Sequence, residues 1–199
     1  MVLDKDIEIQ QNTTGFYSPV PESGGFMNPQ RIAGYFDVAE GMRVADFGSG
    51  AGYFTILLAK MVGENGVVTA IDILDSALDT LRAKAKTEGL VNIETIRSNL
   101  ETPGGSGLAG DSQDMVLLAN TLFQNVNKTV IIAEARRVLK SSGLLIVIDW
   151  RRGAGGFGPP DDLRMDPEEA RELVAGNGFQ FSNMIDAGTF HFGQIYKKL

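Results

Sequence analysis

The chain has 199 residues, 43% of them hydrophobic, close to the length of one domain and apolar enough to close a core, which excludes a disordered tail or linker. Its 18 Lys and Arg against 25 Asp and Glu give a net charge of −7, so its field repels phosphate backbones and duplex nucleic acid is not an expected partner. With no Cys, the sequence excludes a disulfide framework, a thiol nucleophile and a Cys metal site, and fits a reducing, cytoplasmic setting.

Residues 1–27 read as an N-terminal arm or lid, with Phe16, Tyr17, Pro19 and Phe26 as its apolar material, and Arg151–Arg164 is the other segment able to supply a lid. Asp4, Asp6 and Glu8 stand where a signal peptide needs positive charge. Residues 28–199 read as one domain that opens with a helix near Pro29–Ala39. Val44–Phe47, Val67–Ile73, Ile93–Arg97, Met115–Ala119 and Leu144–Ile148 follow as apolar strands too short to span a bilayer. Between them, Gly52–Met61, Ser76–Glu88 and Asn127–Leu139 carry apolar residues at helical spacing. Strands separated by helices need crossover connections, which predicts an α/β fold with a mainly parallel sheet covered on both faces. After a helix at Pro167–Ala175, the strands Phe179–Ile185 and Thr189–Lys197 are separated by only three residues, which makes an antiparallel hairpin.

The most informative stretch is Asp46-Phe47-Gly48-Ser49-Gly50-Ala51-Gly52, where a strand runs into a helix through alternating glycines. Backbone N–H groups can approach a ligand there with no Cβ in the way. The dinucleotide fingerprint needs its third Gly where Tyr53 stands, and the Gly-Lys-Ser/Thr of a phosphate loop is absent. Asp72 ends the next strand and suits the hydroxyls of a ribose without phosphate. Asp46 adds a carboxylate for a cationic amino group. Together these describe S-adenosylmethionine.

Asp46 to Gly52, Asp72, Ser98-Asn99-Leu100, Asp114 to Gln124 and Gly143 to Trp150 resemble the successive motifs of class I S-adenosylmethionine-dependent methyltransferases, in that family's order. Arg136 to Gly143, Asp149-Trp150-Arg151, Gly158-Pro159-Pro160 and Asn177-Gly178-Phe179 make the chain similar to the ubiquinone and menaquinone biosynthesis group. The resemblance implies a Rossmann-like seven-stranded sheet with a C-terminal antiparallel hairpin. It also implies that Gly48, Ser49 and Gly50 line the methionine end with Asp46 behind them, that Asp72 holds the ribose, and that Ile73 and Leu100 flank the adenine. Asn99 stands where the family usually has an Asp for the adenine amino group. Asn120 and Thr121 fall near the methyl donor, with Phe123 and Gln124 toward the acceptor.

Methyl transfer from a sulfonium needs donor and acceptor fixed close together and water excluded, and no metal is implied. Where the acceptor must also lose a proton, a positioned base helps; Asp149 at a strand end and His191, the single histidine, are the candidates. Each residue also has a plainer reading: Asp72 as a helix cap, Asn99 as a turn former, Asn120-Thr121 as a cap, and His191 as a sheet histidine. The acidic surface and the absence of an Asn/Asp-Pro-Pro-Tyr/Phe signature argue against amino-group methylation of bases, and the lack of Cys against arsenic methylation. The expected activity is methylation of a small molecule. A protein side-chain methyltransferase, a non-catalytic S-adenosylmethionine-binding regulatory module and a nicotinamide dehydrogenase are the alternatives, and oligomeric state is not legible.

Overall fold

The computed structural model describes residues 27–199, so the expected arm lies outside the described residues except for Met27. Seven strands, β1 (Arg43–Phe47), β2 (Val67–Asp72), β3 (Ile93–Arg97), β4 (Gln113–Ala119), β5 (Leu139–Trp150), β6 (Phe179–Ile185) and β7 (His191–Lys198), form one sheet. Its order is β3-β2-β1-β4-β5-β7-β6. The first five strands pair in parallel, and β7 runs antiparallel between β5 and β6. The chain winds outward from β1 in one direction and restarts beside it at β4, so a crevice opens at the carboxyl ends of β1 and β4. Ligands of open α/β sheets bind at such a switch point.

Side-chain alternation along the strands builds the two faces. Val44, Val68, Met115, Leu117, Ile146 and Ile148 meet α1 (Pro29–Ala33) and α2 (Tyr53–Val62). Ala45, Phe47, Val116, Leu118, Leu145 and Val147 face α4 (Lys128–Val138) and α5 (Pro167–Gly176). The remaining helix, α3 (Asp75–Thr87), brings Leu81 and Ala85 against Ile56 and Ala70. No helix among the described residues is long and apolar enough to cross a membrane.

Several boundaries differ from the sequence reading, and three are instructive. The first helix stops at Ala33 rather than near Ala39: the Asn28 side chain caps its start and Gly34 already caps its end. Leu139 belongs to β5, where it pairs with Gln113, rather than to the preceding helix. Thr189 precedes β7 instead of opening it. The turn between β6 and β7 comes back to the carboxyl edge of the sheet, where Asp186 receives the Arg31 guanidinium of α1 at 2.7 Å.

Candidate active site

The glycine loop curls over the end of β2. The N–H groups of Gly48 and Ser49 both donate to Ile71 O, at 2.8 and 3.1 Å, and Gly52 N–H closes back onto Ser49 O at 3.0 Å. Lys84 of α3 holds the loop from outside, donating to Ala51 O at 2.9 Å. Gly48, Gly50 and Gly52 have φ of +76°, +52° and +80°, the left-handed region that side chains disfavour. A Cβ on Gly48 would stand 2.6 Å from Thr121 Oγ1, and one on Gly52 would stand 2.3 Å from Leu81 Cδ1. At Gly50 a Cβ would meet nothing within 4 Å. Packing therefore demands two of the glycines, while the third presents bare backbone to open space.

Asp72 joins the loop to β2: its Oδ2 accepts from Gly50 N–H at 2.8 Å and its Oδ1 from Leu74 N–H at 2.9 Å. Each oxygen retains a lone pair for a hydroxyl. Beside it, Ile73 and Leu74 are 55% and 60% exposed, an apolar shelf next to a carboxylate. Asp46 lies behind the loop, buried, and receives Thr55 Oγ1–H at 2.6 Å. Burial pushes its carboxyl up to about 6; the nearby Asp72 charge adds to the rise and the Thr55 bond opposes it.

At the end of β4, Thr121 Oγ1–H donates to Phe47 O at 2.9 Å, fastening the two strand ends that flank the crevice. Asn120 has φ +55°, a strained conformation of the kind found at functional sites. Its Oδ1 and the Ser49 Oγ are buried without hydrogen-bond partners among the described residues. Unmet polar capacity on both sides of the crevice is what an amino-acid tail, with its ammonium and carboxylate, would satisfy. These residues fit S-adenosylmethionine.

The third strand contributes less. Asn99 is exposed and its Oδ1 is engaged by Glu101 N–H at 2.9 Å, a local turn. Leu100 packs into the core with Ile71 rather than facing the crevice. Phe123 is half-buried and Gln124 exposed; both lie on a 3₁₀ turn after β4, with Gln124 Nε2 donating to Asn120 O at 3.2 Å.

The two catalytic candidates differ in kind. Asp149 is fully buried, and both carboxylate oxygens are occupied: Oδ2 accepts from Leu122 N–H at 2.8 Å and Phe123 N–H at 3.2 Å, Oδ1 from Trp150 N–H at 2.7 Å. Burial pushes its carboxyl up to about 6 against those three bonds. It fixes the turn that carries Phe123 and Gln124. His191 is buried beside Trp150 at the end of the sheet, with neither ring nitrogen hydrogen-bonded among the described residues.

Sequence reasoning missed Thr55, which donates to the buried Asp46, Lys84, which donates to Ala51 O, and Arg164, which donates to carbonyls of its own loop; no spacing in the sequence announces such contacts. Open recesses occur elsewhere, about 600 Å³ beside Gly155, Pro159 and Arg164 and about 500 Å³ between Arg82 and Thr95. Neither recess is lined by the glycine loop, and a crevice between strand ends is open by construction. No group of His, Asp and Glu among the described residues could hold a metal ion.

This arrangement defines a nucleoside-binding α/β domain, and comparison with known proteins names its class. The chain belongs to the methyltransferase domain family, whose model matches residues 39–188. It is 34% identical over 113 residues to a ubiquinone/menaquinone biosynthesis C-methyltransferase, UbiE, of Shewanella pealeana, a stretch covering 56% of this chain but 44% of that protein. The chain thus spans less than half the length of that relative. Among solved structures, a SAM-dependent methyltransferase from Aquifex aeolicus superposes with a TM-score of 0.80 at 28% identity, covering 87% of this chain and 91% of that one. A type 11 methyltransferase from Sulfolobus solfataricus superposes with a TM-score of 0.62 at 27% identity, covering 78% and 83%. Membership and neighbours imply S-adenosylmethionine as the cofactor.

Proposed function

We propose that this protein is an enzyme that transfers a methyl group from S-adenosylmethionine to a small-molecule acceptor. The observation that carries this reading is the Asp72 carboxylate bridging the glycine loop to β2 through Gly50 N–H, beside open backbone and the exposed Ile73. Gly48, Ser49 and Asn120 would hold the amino-acid tail, Asp72 the ribose hydroxyls, and Ile73 the adenine. Asp46 supports the loop from behind, through Thr55 and α2. Asn99 stays in the proposal through its NH₂, which can meet a ring nitrogen, and Leu100 through the shape of the core beneath.

Bound at this site, the cofactor supplies an activated methyl carbon. The protein's part is then to orient an acceptor in line with that carbon and to keep water out. The acceptor's electron pair would form the new bond to that carbon as the carbon–sulfur bond breaks and its electron pair passes to sulfur, leaving a neutral thioether. The proton the acceptor loses would pass to solvent or to a side chain at the acceptor end. The C-methyltransferase name of the Shewanella relative supports a carbon nucleophile. An acidic, cysteine-free chain supports a cytoplasmic setting without nucleic acid partners. Incubation with methyl-labelled S-adenosylmethionine and a panel of small carbon and oxygen nucleophiles tests the reading. We expect label in one acceptor class with stoichiometric S-adenosylhomocysteine; cofactor binding with no transfer to any acceptor, protein lysate included, would leave a binding module instead.

A further inference from the structure

His191 opens β7 and pairs with Trp150, the last residue of β5, so it stands at the carboxyl edge of the sheet. It is 3% exposed, yet both ring nitrogens are without hydrogen-bond partners among the described residues. Folding gains nothing from an orphaned imidazole, so its unmet bonds point to a ligand. Asp149, one residue before Trp150, does not compete for this role, since its oxygens already serve Leu122, Phe123 and Trp150.

The ring that packs on the imidazole also carries a loop. The His191 and Trp150 rings lie with centroids 4.1 Å apart. Beyond Trp150 the chain makes a loop over residues 152–164, closed by Arg152 N–H on Met165 O at 3.0 Å and Met165 N–H on Trp150 O at 3.1 Å. Arg164, nearly fully buried, fastens that loop from within: it donates to Pro159 O at 2.9 Å, Gly155 O at 3.0 Å and Phe157 O at 2.5 Å. Its guanidinium stands 5.6 Å from the Trp150 ring. Gly158, at φ +94°, lies flat on the same indole, where a Cβ would be 2.3 Å from Trp150 Cζ3. One indole thus carries both the loop and the imidazole.

Burial, with the Arg164 charge adding to it, brings the imidazole pKa down to about 4. The ring is uncharged at neutral pH and can donate from one nitrogen while accepting at the other. It matches a hydroxyl or carbonyl oxygen. An anionic acceptor would gain no ion pair from it.

We infer that His191 binds the methyl acceptor through an uncharged hydroxyl or carbonyl oxygen, and that the 152–164 loop is the cover that moves aside to admit it. This rests on the methyltransferase reading above. Because His191 is the only histidine, the imidazole gives a single set of NMR signals, and the test is direct. The full chain is saturated with S-adenosylhomocysteine and titrated with 2-naphthol, a neutral hydroxyaryl probe, and separately with benzoate. We expect 2-naphthol to shift the imidazole ¹⁵N signals and benzoate to leave them in place. His191→Phe, which keeps an aromatic partner for Trp150, should weaken 2-naphthol binding about ten-fold, the loss of roughly one hydrogen bond, with S-adenosylhomocysteine affinity retained. Imidazole signals that ignore 2-naphthol while S-adenosylhomocysteine binds would overturn the inference alone. Absence of S-adenosylhomocysteine binding would overturn the cofactor reading, and this one with it.

Discussion

Asp72 accepts the backbone N–H of Gly50 at 2.8 Å, across the gap between the ends of β2 and β1. One carboxylate therefore both shapes the glycine loop and faces the crevice that the loop borders. In Asp72→Asn the loop keeps one acceptor, and a charged acceptor for hydroxyls is lost, a change of ~1.5–3 kcal/mol for bonds to a charged group. S-adenosylhomocysteine affinity should fall at least about ten-fold by calorimetry, with a far smaller change in melting temperature.

Gly48 and Gly50 should separate by substitution. Gly48→Ala forces a Cβ against Thr121 Oγ1 at a positive φ, so we expect ~1–3 kcal/mol of lost stability in urea unfolding. Gly50→Ala has open space around its Cβ. It should cost only the left-handed backbone term, ~1–2 kcal/mol, while cofactor binding falls because a methyl group now stands where the ligand approaches.

Asp149 makes a pH signature. Its folded pKa, about 6, lies above the ordinary value of 3.8, so the folded state holds the proton more tightly. The stabilisation from that proton is complete below about pH 4 and is lost as pH rises through about 6, a swing of ~3 kcal/mol. Asp149→Asn removes this term. Wild type minus variant stability, measured by urea unfolding, should fall between pH 4 and pH 7; a flat difference would contradict the burial of the charge.

Much of this was legible in the sequence and some was not. The strands Val44–Phe47 and Leu144–Ile148 are apolar throughout because both faces of a parallel sheet are covered, and the glycine loop is local, so both could be read directly. Asp72 followed from its distance along the chain after the loop. Leu100 sits at a strand end, and nothing in one sequence tells whether such a leucine faces a ligand or, as here, the core. The Arg164 clamp joins carbonyls of its own loop to Trp150, and Thr55 answers a carboxylate on β1; contacts of that kind depend on how the elements close together.

Glu134 illustrates a polar network with a structural task. It accepts from Gly104 N–H, Ser106 N–H, Ser106 Oγ–H and the Arg137 guanidinium. Burial alone would raise its carboxyl, but the Arg137 and Ser106 bonds outweigh burial and bring it to about 2. The stabilisation is therefore present above about pH 4.5 and lost as pH falls toward 2. Glu134→Ala leaves buried donors unpaired, at ~1–3 kcal/mol, and should accelerate amide exchange at Gly104 and Ser106 without changing S-adenosylhomocysteine affinity.

The decisive measurement is calorimetric titration of the full chain with S-adenosylhomocysteine, with NAD as the control ligand. We expect saturable one-to-one heat with S-adenosylhomocysteine, sharply reduced in Asp72→Asn, and none with NAD. No heat with S-adenosylhomocysteine, or undiminished binding in Asp72→Asn, would contradict it.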